Sequence, residues 1–294
     1  VISIDDERFI YDEPFKYLPE NIRIKKDELL DEFHRLEQIL GYSEVNERIE
    51  EILIELKELE KEILMIYPVT VRSYLGFHSC INCLLLEKNR EPDIRILKMS
   101  YLDYLFELQT RSVENKIFLQ WLEYLMFLVF KCKSLDFYYD KNKKIFFKIN
   151  DIVLNSNDFD NIKDIILKQN GIEHEENIID FEFEKALKEA QKYKEKHEDK
   201  PANLEERIIS YHSFNGYDYE KIYNLTIRKF NKGLQRMCMK TDYEVHKAAE
   251  ISGMVKFKDS VNHWLSHVEP KQKFEGLVVK DADSTINQIK SALE

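Results

Sequence analysis

The sequence predicts a mainly α fold with a small β component: one β-hairpin, short strands, and a helical hairpin near the N-terminus. Three observations predict it. Only 7 Gly and 6 Pro occur in 294 residues, too few for the many tight turns of an all-β sandwich. Apolar side chains recur at i, i+3, i+4 and i+7 through most of the chain, the period of an amphipathic helix. One lysine-rich stretch, by contrast, carries two short aromatic runs around a polar turn, the pattern of a hairpin.

Taken in order, Arg8 to Tyr11 and Phe15 to Tyr17 read as strand-like pieces on either side of Pro14. Asp27 to Leu40 places Leu29, Leu30, Phe33, Leu36 and Leu40 on one helical face, and Gly41 ends the run. Ser43 opens a second helix, with Val45, Ile49, Ile52, Leu53, Leu56, Leu59 and Ile63 in one apolar stripe among Glu and Lys. Two such helices joined at Gly41 and Tyr42 make an antiparallel hairpin with coiled-coil-like packing. Whether it lies on the main core or protrudes as an arm is open at this stage.

Met65 to Val69 is extended, and Val71 to Glu87 is expected as one hydrophobic helix. Pro92 precedes another, carrying Ile94, Leu97, Tyr101, Leu102, Leu105 and Leu108. Ile117 to Phe130 is the most apolar run; it is shorter than a membrane span requires and includes Gln120 and Glu123, so a buried helix is expected. Leu135 to Tyr139 and Lys144 to Ile149 form the hairpin, extended by Ile152 to Leu154. Asn157 or Asp158 caps the next helix, which runs through Lys168 and ends at Gly171. Asn203 caps a helix through Phe214, stopped by Asn215 and Gly216, and the helical pattern continues from Tyr219 to Asn224 and Thr226 to Lys240. The tail adds a strand over 274–279 and a helix over 284–293. The domain reading is an N-terminal α-rich domain over 1–179 with the β-hairpin, a charged helix or linker over 180–200, and a C-terminal helical domain over 201–294.

The formal net charge is -11 with 44 Lys and Arg against 55 Asp and Glu, which repels polyanions and argues against a nucleic-acid partner. The densest basic run, Lys131 to Lys148, alternates with aromatics and is read as a hairpin whose lysines guard an exposed edge. The chain opens at Val1 with acidic residues close behind and lacks the basic-then-apolar order of a signal peptide, so no targeting segment and no membrane partner are expected. Four Cys make no disulfide scaffold, and a reducing cytoplasm is the expected compartment.

Cys80 and Cys83 form a Cys-x-x-Cys beside His78, but Cys132 and Cys238 are isolated and complete no four-ligand zinc set. Lying inside an apolar helical pattern, the thiols are expected to be buried and structural. His263 and His267 stand at i, i+4 spacing, which suits a shared metal, yet Trp264 occupies the place of the Glu in a His-Glu-x-x-His box. The run from Lys240 to Pro270 is the most distinctive in the chain: an amphipathic helix into Ser252 and Gly253, a short element with Met254 and Phe257 buried, and a short helix anchored by Trp264. No phosphate loop and no Gly-x-Ser-x-Gly occur, so no catalytic, cofactor-binding or metal residue is assigned and no enzyme activity is expected.

Several segments together resemble a family of tail-assembly proteins of long-tailed bacteriophages infecting Gram-positive bacteria. They are Tyr11 to Pro14, Leu64 to Tyr74, Lys98 to Leu102, Ile165 to Asn170, Asn224 to Phe230, and Glu250 to Lys258 with His263 to His267. In that family the first segment runs almost directly into the second. Here residues 21–62 lie between them, so the resemblance implies that the helical hairpin is an insertion whose ends are adjacent. It further implies a non-enzymatic, chaperone-like role: binding the tape-measure protein or other tail components in the host cytoplasm before tube polymerisation. The alternative is a structural subunit of the tail tip or baseplate, present in the virion, with the hairpin as its assembly contact. No ligand-binding residue is implied, and the oligomeric state is left open.

Overall fold

The computed structural model describes residues 13–38, 43–88, 91, 93–112, 114–141, 144–172, 174, 189, 202–253 and 262–266. It is mainly α with two small antiparallel sheets. β1 (Phe15–Tyr17) pairs with β2 (Leu64–Ile66), setting Phe15 opposite Ile66 and Tyr17 opposite Leu64. Between these strands lie α1 (Glu20–Glu37) and α2 (Ser43–Leu59), so the helical hairpin is an insertion with adjoining ends. Helix α1 starts earlier than the sequence suggests, because the Pro19 carbonyl already accepts the Arg23 N–H at 2.8 Å. The expected strand over 8–11 and the turn at Gly41 lie outside the described residues.

The hairpin packs about its own seam. Ile22, Leu29, Ile52 and Leu59 form a buried cluster flanked by Phe33, Leu36 and Leu56, separate from the main core. On its surface Arg48 reaches Glu32 of α1 at 2.8 Å and, on α2, Glu51 at 3.1 Å and Glu55 at 3.2 Å. Such exposed pairs add little stability, but a planar guanidinium bridging both helices favours one register.

The single helix expected over 71–87 is broken into 3-10 turns at Val71–Ser73 and Ile81–Leu84 around α3 (Tyr74–Cys80). The Tyr101 hydroxyl accepts the Leu86 N–H at 2.8 Å, and the carbonyls of Cys83 and Leu86 lie 3.1 Å from it, so the chain is tied off there. The next expected helix is likewise two, α4 (Ile94–Lys98) and α5 (Tyr101–Arg111). Ser100 divides them: its hydroxyl accepts the Asp103 N–H at 3.1 Å and caps a new helix. Helix α6 (Lys116–Phe130) is buried along Leu122, Leu125, Met126, Val129 and Phe130. Among the described residues no helix is long and apolar enough to cross a membrane.

β3 (Leu135–Tyr139), β4 (Ile145–Ile149) and β5 (Ile152–Asn155) form an antiparallel meander. Ile145, Phe147 and Ile149 of β4 point into the core and are at most 5% exposed. The alternation was legible; the following cap was misplaced. Helix α7 (Ser156–Gln169) is capped by Asn155, whose side chain accepts the N–H groups of Asn157 and Asp158 while Asp158 returns the bond to the Asn155 N–H.

Further on come α8 (Leu204–Asn215), α9 (Tyr219–Tyr223) and α10 (Ile227–Ile251). Asn203 caps α8 in a reciprocal box with Glu206, and Gly216 ends it with a φ of 65°, where a side chain would be strained. Gly233 has a different reason: a Cβ there would come within 2.8 Å of the Tyr211 ring.

The chain divides into two compact units, Val1–Glu176 with Asp218–Lys232, and Asn177–Tyr217 with Gly233–Glu294. Residues 218–232, which the sequence reading assigned to the C-terminal domain, therefore group with the first unit. Backbone bonds explain it: Val71 N–H donates to the Leu225 carbonyl and Ile227 N–H to the Val69 carbonyl, both at 2.9 Å. The charged segment over 180–200 and the tail elements over 274–293 fall almost wholly outside the described residues.

Candidate functional site

The Cys-x-x-Cys is a packing element. Cys80 ends α3 and Cys83 sits in the 3-10 turn behind it, and both are buried. The Cys80 Sγ donates to the Phe77 carbonyl at 3.3 Å. Burial pushes the Cys80 thiol up to about 12. Burial pushes Cys83 upward as well, with the neighbouring Cys80 adding to it. A buried thiol whose pKa is raised in this way carries little of the nucleophilic thiolate at neutral pH. His78 is exposed and stacks on Tyr74 with ring centres 5.9 Å apart.

His263 lies in a described turn over 262–266, where a short helix was expected; the Ser266 N–H donates to the His263 carbonyl at 2.8 Å. Its ring meets Tyr243 edge-on with centres 4.9 Å apart. Arg236 holds the turn to α10 by donating to the carbonyls of Trp264 at 2.6 Å and Ser266 at 2.8 Å. His267, Met254 and Phe257 lie outside the described residues. Among the described residues no group of three or more His, Cys, Asp or Glu is arranged to hold a metal ion.

What the structure does bring together are the segments quoted above for their resemblance. Three of them meet at one buried joint. The Asn170 Oδ1 accepts the Val69 N–H at 3.0 Å while its Nδ2 donates to the Ile166 carbonyl at 2.8 Å. Gln169 Nε2 donates to the Ile66 carbonyl at 3.0 Å. Thr70 and Thr226 form an isolated antiparallel bridge, and Arg228 donates to the Lys168 carbonyl at 2.7 Å. Extended backbone over 66–71 lacks a helical ladder, so buried amide side chains and a distant segment satisfy it instead.

The fourth segment makes a second joint. The Tyr101 N–H, at the start of α5, donates to Asp160 Oδ1 at 2.9 Å, and the Lys163 Nζ sits 3.8 Å from the centre of the Tyr101 ring. Lys88 donates to the Met99 carbonyl at 2.7 Å. These groups and Asp164 line a notch of about 190 Å³. Burial raises the Asp160 carboxyl above its ordinary range, while the Tyr101 N–H and the cations of Lys163 and Lys88 act the other way. Two lysines and two aspartates line the notch beside the Tyr101 ring. Its work is to fasten α5 to α7.

A third joint anchors the insertion. Buried Asp158 accepts the Tyr17 hydroxyl at 2.8 Å and the Glu20 N–H at 2.9 Å through one oxygen, and the Asn155 N–H at 3.1 Å through the other. The start of α1 is thereby tied to the start of α7. Sequence periodicity could not find this contact, since 138 residues separate Glu20 from Asp158.

These joints define a scaffold of helices held by buried amide, carboxylate and hydroxyl contacts. Residues 192–269, which include α8, α9 and α10, match the model of a family described as YomV second domain, a phage-derived family. The similarity links the chain to bacteriophage proteins. No curated protein and no solved structure matches the chain significantly.

Proposed function

We propose that the protein is a non-enzymatic bacteriophage tail-assembly factor that acts by binding other proteins. Its partner is the tape-measure protein or another tail component, met in the host cytoplasm before the tail tube polymerises. The observation that carries this reading is the convergence of the resembling segments on buried joints, beside a C-terminal part similar to a phage-derived family. Those residues act on the fold, and the surface is left for partners. The inserted hairpin, with its own apolar seam and charged exterior, is the element with which such a factor reaches a partner. The acidic balance of the chain keeps a complex with an aggregation-prone partner soluble.

Co-expression with the tape-measure protein tests the reading. Higher solubility of that protein and co-purification of the two are expected; neither occurring counts against it. Mass spectrometry of purified particles tests the chaperone form, which requires the protein to be absent from the virion. Presence at fixed stoichiometry assigns it to the tail tip or baseplate instead, with the hairpin as its assembly contact.

A further inference from the structure

We propose that the outer edge of β3 is a docking strip for an extended acidic segment of a partner protein, which joins the sheet as a fourth strand. The strand order β3-β4-β5 leaves β3 at an edge, paired on one side only among the described residues. The hydrogen-bond phase fixes which groups face outward. Asn150 N–H donates to the Ser134 carbonyl at 3.1 Å and Asp140 N–H to the Lys144 carbonyl at 3.0 Å. In an antiparallel ladder every second residue bonds to the partner, so 134, 136, 138 and 140 turn toward β4. Leu135, Phe137 and Tyr139 turn their backbone N–H and C=O groups to the open side.

The core layer thins toward the same edge. Ile145, Phe147 and Ile149 of β4 are 5%, 0% and 0% exposed, whereas Tyr139 on β3 is 60% exposed. Leu135 and Phe137 are half-buried. Phe106 of α5 leans edge-on against Phe137 at 5.5 Å and Tyr139 at 6.0 Å between ring centres. A fourth strand would bury this aromatic shelf and satisfy the outward backbone groups together.

Charge names the occupant. Between Lys131 and Asp151 the sequence holds six lysines and three aspartates, in a chain whose net charge is -11. Lys148 pairs with Asp151 at 3.4 Å, while Lys133, Lys141 and Lys144 make no ion pair among the described residues. Lys133 stands at one end of the edge, and Lys141 and Lys144 at the other, bracketing a five-residue strand of roughly 17 Å. A second copy pairing antiparallel through β3 would bring lysines against lysines. An extended segment with acidic residues at both ends meets them with opposite charge. The strip stands independently of the tail-assembly reading.

The test uses the full chain and a fluorescent nine-residue peptide with a Val-Thr-Val-Thr-Val centre and two acidic residues at each end. Its controls are the same peptide with lysine ends, and the acidic peptide N-methylated at alternate amides so that it cannot extend a ladder. The proposal expects saturable binding of the acidic peptide that weakens with salt, and slower amide exchange at Leu135, Phe137 and Tyr139 on binding. It expects loss of binding on N-methylation and a loss of about tenfold or more in the variant K133E/K141E/K144E. These three lysines are exposed, and circular dichroism verifies that the variant keeps its fold. Any of four results overturns the proposal: no saturable binding, equal binding of the N-methylated or lysine-ended peptide, an unchanged affinity in the triple variant, or a concentration-dependent dimer formed through β3. Failure of co-expression with a tape-measure protein alongside a positive peptide result would sink the tail reading and leave the strip standing.

Discussion

The inserted hairpin and the helical core beside it are stabilised in different ways. In the hairpin, Ile22, Leu29, Ile52 and Leu59 supply the buried seam, and exposed charge around Arg48 sets the register. In the core, α5, α6, α7 and the β-meander surround fully buried residues such as Leu105, Leu125, Phe147 and Phe159. A seam of a few side chains opens locally, whereas a core this size opens as a whole. An element can therefore be inserted between β1 and β2 with little consequence for the rest, provided its ends are fixed. Strand pairing and the Tyr17–Asp158–Glu20 contacts fix them.

Four substitutions probe that contrast. Phe147→Ala should have the largest effect, about 3–5 kcal/mol, because it opens a cavity beside Phe159 of α7 and Phe137 of β3; chemical denaturation should show the loss in probes of α5, α6, α7 and the β-meander. Ile52→Ala removes a comparable group, about 2–5 kcal/mol locally, but the loss should appear as fraying of α1 and α2 with the core transition unmoved. Tyr17→Phe should cost about 1 kcal/mol by deleting one donor to Asp158, loosening the hairpin's root.

The Tyr17 phenol also carries a pH signature. Burial, then the Asp158 carboxylate, raises its pKa above the ordinary value of 10.0. The stability it contributes is complete below that value and is lost as pH rises beyond it. Alkaline titration of stability should therefore fall more steeply above about pH 10 in the unaltered protein than in Tyr17→Phe. Arg48→Ala should be mildest. Its guanidinium is solvent-exposed, so thermal stability of the core should be unchanged, and altered order in α1 and α2 should be visible only by NMR or amide exchange.

Sequence and structure agree where the signal is local and periodic. Ile49, Ile52, Leu56 and Leu59 repeat at alternating steps of three and four, and α2 carries them; Ile63, expected on the same stripe, falls beyond the helix in extended backbone, and Leu53 is exposed. The hairpin over 135–149 and the glycine stop at 216 were equally legible. Breaks inside apolar stretches were not. The helix expected from Ile94 to Leu108 divides at Ser100 because one hydroxyl caps a new helix, and the 71–87 helix divides because Tyr101, distant in sequence, captures its end. The joints at Asp158 and Asn170 were invisible for the same reason: each satisfies backbone groups more than a hundred residues away. The resembling segments include those that meet at Asn170, without showing that they meet, and include none of the residues joined at Asp158. For the candidate site, the Cys-x-x-Cys reading as a buried structural pair agrees with Cys80 and Cys83 at 1% and 0% exposure. The lysines beside β3 were legible in the sequence, but that β3 is paired on one side only among the described residues is a three-dimensional fact.

Amide hydrogen exchange on the intact chain, compared between the unaltered protein and Ile52→Ala, tests the separability of hairpin and core most directly. The α1 and α2 amides should exchange through an opening of lower free energy than those of α6 and α7, and Ile52→Ala should speed only the former. Equal protection in all four helices, with Ile52→Ala accelerating α6 and α7 as much as α1 and α2, would contradict it.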